Sequence, residues 1–249
     1  MKKHIPILIG IIIGLTGCGA DNASGTELIP GGSGQSGSLA RFTIIGDQLV
    51  TVNPPSMLTF SISDPTNINK VSTVPLGRFA ETIFPLKSDV LLVGTSSGMM
   101  IYNFSNPANP ILISIYEHIT SCDPVVASGD LAYLTLRAET NSNMCNRGVN
   151  RLEIIDISNL SSPTLIKDYE MTKPYGLGLA NDSLLFVCDN GLKLFNVSNP
   201  HNIQLQRHFN NFEALDVIVR DPLVIVLSSF KITQFERNGN NLTYLSEIH

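Results

Sequence analysis

From residue 41 to His249 the chain alternates two kinds of segment. Apolar or alternating runs of four to eight residues are separated by short clusters of Asn, Asp, Ser, Gly and Pro. Residues 175–208 show the pattern most cleanly. Tyr175 to Ala180 predicts a first strand, Asn181-Asp182-Ser183 a tight turn and Leu184 to Cys188 a second strand. Asp189-Asn190-Gly191 turns into a third strand, Leu192 to Val197, and Ile203 to His208 makes a fourth after Ser198-Asn199-Pro200. Turn residues of these types at these offsets are the chemistry of antiparallel hairpins. The second strand is apolar on both faces, which places it inside a stack of sheets. The fourth is largely polar, which places it at a rim. No stretch after residue 18 sustains helical periodicity.

The unit recurs. A strand leading into Ser-Asn-Pro or a relative appears as Phe60-Ser61-Ile62-Ser63-Asp64-Pro65, Tyr102 to Pro107, Ile155 to Leu160 and Phe195 to Pro200, with a decayed copy at Phe235 to Gly239. A second marker keeps the same register: Asp47, Asp89, Asp130, Asp182 and Asp221 each precede an apolar run. From Asp to the Ser-type position is 16 residues in four units and 28 in the third. A period near 40 residues signals a propeller or a solenoid. Four strands per unit, buried inside and polar outside, favour an all-β fold: a β-propeller of four-stranded antiparallel blades, five in number. Solenoid repeats are shorter, and a sandwich does not repeat its sequence. No strand is left over at either end, so first and last blades are expected to close by side-chain packing alone.

The residues that carry this repeat resemble the LVIVD-repeat lipoproteins of bacteria. Leu223-Val224-Ile225-Val226, Gly98 to Pro107 and Gly191 to Pro200 follow that family's apolar run, Gly-containing turn and Ile-x-Asp-Val-Ser-Asn-Pro strand. The resemblance spans nearly all of residues 41–249 and implies a propeller in the cell envelope. It implies no activity. The fifth unit departs from the pattern after Phe235.

The first 40 residues have a different character. Lys2 and Lys3 precede an apolar run, Ile5 to Leu15, which is too short to span a bilayer and reads as a secretory signal over residues 1–17. Leu15-Thr16-Gly17-Cys18 resembles a bacterial lipobox, which implies cleavage before Cys18 and its acylation. Two or three acyl chains anchor a protein stably. Gly19, where an Asp would favour inner-membrane retention, points to the outer membrane. Residues 18–40, rich in Gly and Ser, predict a flexible lipidated tether, and 41–249 the propeller domain. Composition then sharpens the picture: 43% of residues are apolar, only 15% charged, and there is no Trp. Without Lys2 and Lys3 the chain carries 14 Lys and Arg against 21 Asp and Glu, a charge of −7 that opposes nucleic-acid binding.

Candidate chemistry is sparse. Cys122 and Cys145 bracket the second strand of unit three, Cys145 lying in a polar insert, Arg137 to Asn150; the oxidising envelope makes a disulfide between them the expected pairing. Cys188 reads as a core thiol, and no Cys-x-x-Cys is present. The few His residues form no metal motif, so neither metal nor cofactor is expected. The five recurrent Asp residues read as turn formers whose side chains bond the local backbone. Blade-to-blade connections line one propeller face and supply the candidate site: Arg78, Glu81, Asp123, Lys173, Tyr175 and Glu213. With no catalytic constellation, the favoured function is a non-enzymatic module that binds a protein, glycan or envelope component. The alternative is a hydrolase or lyase using central-channel residues. If Cys18 carries the lipid, Cys18→Ala abolishes metabolic palmitate labelling and leaves an unanchored precursor; unchanged labelling contradicts the lipobox reading.

Overall fold

The computed structural model describes residues 37–118, 124–138 and 149–249, which form twenty β-strands. Blade 1 holds β1 (Phe42–Ile45), β2 (Gln48–Asn53), β3 (Ser56–Ser61) and β4 (Asn69–Pro75). Blade 2 holds β5 (Ala80–Lys87), β6 (Val90–Thr95), β7 (Gly98–Asn103) and β8 (Ile111–Glu117). Blade 3 holds β9 (Val125–Ser128), β10 (Leu131–Leu136), β11 (Arg151–Asp156) and β12 (Thr164–Glu170). Blade 4 holds β13 (Pro174–Asn181), β14 (Leu184–Asp189), β15 (Leu192–Asn196) and β16 (Gln204–Phe209). Blade 5 holds β17 (Asp216–Arg220), β18 (Leu223–Leu227), β19 (Ile232–Asn238) and β20 (Asn241–Ile248). Each blade is one antiparallel sheet paired in chain order, so the fold is a five-bladed β-propeller, and among the described residues no strand is exchanged between its ends. The connections between blades and the turns between second and third strands share one face, here the connection face. The other turns share the opposite face.

Hydrogen bonds explain both sequence markers. The carbonyl of Asp47, Asp89 or Asp130, or of its neighbour Ser183 or Pro222, accepts an N–H at the end of the third strand: that of the residue just beyond it in blades 1 to 4, and of Arg237, the last but one of β19, in blade 5. These five bonds, at 2.7–2.9 Å, fix the spacing between the Asp and the Ser-type residue. The main chain therefore does what the side chain was expected to do. Where the side chain bonds, it bonds elsewhere: Asp182 accepts from Ser128 Oγ at 2.5 Å, and Asp221 pairs with Arg237. The Asn-x-Ser-Asn-Pro signature is two Asx turns in series. Asn103 Oδ1 accepts from Ser105 N–H and Asn106 Oδ1 from Ala108 N–H; Asn196 and Asn199 repeat this toward Ser198 and His201. The motif glycine is needed for close approach. A Cβ on Gly98 (φ +150°) would lie 2.1 Å from the Tyr116 carbonyl oxygen, and one on Gly191 (φ +105°) 2.3 Å from that of Phe209.

Apolar cores lie between blades. Val50, Val52 and Met57 of blade 1 meet Leu91, Val93, Met100 and Tyr102 of blade 2. Equivalent cores join blades 2 and 3, 3 and 4, and 4 and 5. Cys188 is buried in the last, where desolvation first, then the nearby Asp216, pushes its thiol pKa up, as befits an inert core thiol. Outer-strand side chains stitch each blade to the next. Ser72 Oγ donates to Pro107 O at 2.8 Å, Ser114 Oγ to Leu160 O at 2.5 Å, Tyr169 Oη to Pro200 O at 2.8 Å, and Arg207 Nη2 to Asn241 Oδ1 at 2.6 Å. Between blades 2 and 3 sits one buried polar group, Glu153, paired with Arg151 and accepting from Tyr116 Oη at 3.0 Å.

Three sequence expectations change. Among the described residues no apolar core joins blade 5 to blade 1, so packing does not close the seam as expected. Second strands buried on both faces occur in blades 2, 3 and 4; in β2 and β18 burial alternates. Residues Gly37–Ala40, assigned to the tether by composition, belong to the domain. Ser38 is buried and donates from Oγ to Asp216 Oδ1 at 3.0 Å while accepting Leu177 N–H at 2.7 Å. Leu39 N–H reaches Asp216 Oδ2 at 3.3 Å, and Ala40 O accepts Ile83 N–H at 3.0 Å. The segment thus ties the start of β17 to β13 and β5. Cys18, Cys122 and Cys145 lie outside the described residues.

Burial pushes the Asp216 carboxyl above the usual range, against the pull of hydrogen bonds from Ser38, Val217 and Leu39. A raised carboxyl pKa favours the fold when protonated, and that stability is lost as pH rises from the ordinary Asp value near 3.8 through the folded value. Asp216→Asn keeps a neutral acceptor for Ser38 and Val217. Urea midpoints measured from about pH 4 upward should show wild type losing stability relative to Asp216→Asn. A constant difference contradicts the assignment.

Candidate functional site

The structure sorts the candidate residues into two places. Arg78, in the connection between blades 1 and 2, is held by its own neighbours: Nη1 donates to Ser97 Oγ at 2.8 Å and Nη2 to Glu117 Oε1 at 2.6 Å. With Pro54, Pro55 and Phe79 it borders a shallow recess of about 410 Å³. Glu81 is half-buried at the second position of β5 and lines neither this recess nor the groove described next. Asp123 lies outside the described residues. Lys173, Tyr175 and Glu213 come together.

These three line a groove of about 480 Å³ between blades 4 and 5 on the connection face, with Thr172, Asn190, Asn210 and Phe212. Tyr175 is half-buried, and two cations approach its ring: the Arg137 guanidinium at 4.1 Å from the centroid and the Lys173 ammonium at 5.5 Å. Such contacts contribute roughly 0.5–2 kcal/mol and hold the ring in place. Phe212 stacks on Phe235 at 5.2 Å between centroids. One wall of the groove is the Asp189-Asn190-Gly191 turn. Asn190 there has φ +54°, an uncommon conformation that Asn tolerates better than most residues, and its carbonyl lies 2.9 Å from His208 Nε2.

The carboxylates around the groove are already engaged. Glu213 accepts Ser229 N–H at 2.9 Å and Ser229 Oγ–H at 3.0 Å, and these bonds hold its pKa low. Asp189, fully buried beneath the groove, accepts Lys173 N–H at 2.6 Å, Thr172 N–H at 3.1 Å and the Lys193 ammonium at 2.7 Å. Burial raises its pKa, but the bonds from Lys173, Lys193 and Thr172 outweigh that and leave it lowered. Neither acid is poised to donate a proton near neutral pH. Among the described residues no three His, Cys, Asp or Glu gather where one ion could bind them. What remains facing solvent is aromatic surface, amide and hydroxyl groups, and a cation.

A smaller cavity of about 240 Å³ lies among the inner strands. Phe84, Val126, Leu177 and Val217 make its walls apolar, and Ser128, Asn181 and Asp182 give it a polar edge. It contains no cluster suited to catalysis.

Sequence reasoning pointed to the connections that hold Lys173, Tyr175, Phe212 and Glu213, which line the groove; Asp189, Asn190 and Asn210 were not among its candidates. Asp189-Asn190-Gly191 was legible as a turn; nothing in it reveals that Asp189 points back at the preceding connection, to Thr172 and Lys173. Comparison with known proteins agrees with the architecture. The LVIVD repeat signature matches residues 91–118 and 148–171, in blades 2 and 3. These two stretches are LVIVD repeats. The chain is similar in structure to the Pseudomonas aeruginosa periplasmic gluconolactonase PpgL, at 13% identity over 82% of this chain and 67% of that one, TM-score 0.61. It is similar to a Lactobacillus plantarum protein at 14% identity over 81% and 67%, TM-score 0.63. A functionally unknown Desulfotomaculum acetoxidans protein gives 13% over 87% and 69%, TM-score 0.61. At such identities the likeness is one of fold alone, the β-propeller. No curated protein sequence matches the chain.

The Asp189 arrangement is testable through stability. Asp189→Ala leaves Lys193 and two connection N–H groups without their acceptor, and should cost about 3 kcal/mol at neutral pH. The lowered pKa means that this contribution is present above the ordinary Asp value and lost as pH falls through the folded value below 3.8. Denaturant midpoints of the two proteins should converge there; a gap that persists unchanged in acid contradicts the assignment.

Proposed function

We propose that this protein is a lipid-anchored β-propeller of the bacterial cell envelope, a non-enzymatic binding module whose groove between blades 4 and 5 binds a glycan.

 The observation that carries this reading is the pairing of half-buried aromatic rings and exposed amide groups with acids that are already bonded. Tyr175 and Phe212 offer ring faces to the apolar side of a sugar, while Asn190, Asn210 and Lys173 offer donors and acceptors to its hydroxyls. Glu213 and Asp189 are tied to Ser229 and to the Lys173 connection, so neither of these two groove acids is free to act as acid or base on a bound molecule. The N-terminal signal and Cys18 supply the address, with the outer membrane as destination.

A second reading, a propeller hydrolase, is favoured by one observation: the fold is shared with a periplasmic gluconolactonase. The two readings separate in one set of measurements. Calorimetric titration with a panel of envelope oligosaccharides should show binding, and Tyr175→Ala should weaken it by about tenfold, roughly 1.4 kcal/mol. Gluconolactone opening should stay at the uncatalysed rate. No binding to any glycan, together with lactone opening that Glu213→Gln abolishes, sinks the first reading in favour of the second.

A further inference from the structure

Four of the five blade junctions share one construction, and the fifth lacks it. On blade 4, Phe186 and Cys188 point at blade 5 and are completely buried. Their counterparts on blade 5 are Ile225 and Leu227, on the face turned away from blade 4; Ile225 is half-buried and Leu227 is exposed. Strand register puts Leu227, Ile232 and Ile248 side by side on that face. Ile248 is 66% exposed, a large apolar side chain without cover. Blade 1 shows the complementary deficit. On blade 2 the residues facing blade 1, such as Leu91 and Met100, are buried, whereas their blade 1 counterparts Leu49 and Leu58 are half-buried and Phe42 is 55% exposed.

The polar stitch is also left open. Ser72 and Ser114 sit at the same position of their outer strands, just after the bulge that each third-to-fourth strand pairing contains, and both donate to a carbonyl of the next blade. Ser246 occupies that position in blade 5, opposite Gln234, and is exposed, its hydroxyl making no hydrogen bond to another described residue. In blade 1 the counterpart of the accepting Pro107 is Pro65, whose carbonyl receives no donor among the described residues.

We propose that the blade 5 face is a docking surface for the blade 1 face of a second copy of this chain, a head-to-tail contact that continues the blade-to-blade interface across molecules. The chain's own blades 1 and 5 are both present and are linked through Ser38 and Asp216, yet the two faces stay uncovered. The partner that fits the blade 5 face is therefore one carrying the rows that blade 1 carries, with a carbonyl placed for Ser246. A second copy has both. The contact is heterologous: each molecule uses one face to give and another to receive.

The test uses two tagged forms of the full chain, co-expressed and purified through one tag. Wild type should capture its differently tagged copy. Ile225→Asp in both copies, or Leu58→Asp in both, should lower capture by roughly tenfold or more, because a charge on either face blocks every junction. One copy with Ile225→Asp and the other with Leu58→Asp should restore capture, because one junction then joins two unmodified faces. That restoration also demonstrates that both variants fold. Absence of wild-type capture, capture that survives either doubled variant, or failure of the mixed pair overturns the proposal.

Discussion

A four-stranded blade has two apolar faces and can bury neither by itself. Everything else in this molecule follows from that constraint. Burying an apolar side chain is worth roughly 1.5–3 kcal/mol, so each blade gains its stability from its neighbours rather than from its own sheet. Blades 2, 3 and 4 have two neighbours, and their second strands are buried on both faces. Blades 1 and 5 have one packed neighbour each, and burial along β2 and β18 alternates accordingly. The bonds that recur in every blade, from the first turn to the end of the third strand, set each sheet's shape so that those faces can meet.

The same constraint places the groove. Where two blades converge on the connection face, the chain must pass from an outer strand to the next inner one, and its polar backbone needs partners. Around the groove, Asp189 takes the backbone N–H groups of Thr172 and Lys173 in the connection from blade 3 to blade 4, and Glu213 ties the connection from blade 4 to blade 5 to the Ser229 turn of blade 5. Their carboxylates hold the connections, so the side chains left toward solvent are the rings, amides and cation of the groove. Structural need and binding surface are thus two sides of one loop arrangement.

Much of this was legible in the sequence, for a physical reason. Turn chemistry is local, and two markers repeated in register are enough to count strands and blades. The strands read for residues 175–208 agree with β13–β16 to within a residue or so at each end. Lys173, Tyr175 and Glu213 were reachable because connections always share one face. What escaped depends on contacts distant in sequence. Ser38 looks like any Ser in a Gly/Ser stretch, and only Asp216, 178 residues away, makes it part of the core. Arg78 looks like a candidate ligand contact until Ser97 and Glu117 are seen to hold it. The open seam was also invisible, since the apolar pattern of β2 and β18 resembles that of strands buried on both sides.

The Ser38 clasp has a mechanical meaning. Ser38, Leu39 and Ala40 lie beside the inner strands, not at the outer rim of a blade. Tension applied along that part of the chain is met first by the hydrogen bonds of Ser38 and Leu39 to Asp216 and of Ala40 to Ile83. These bonds would have to yield before the load reached β1 and its pairing with β2. The clasp therefore shields the first sheet from being peeled strand by strand, and it spreads a pull on one end of the chain over blades 2, 4 and 5.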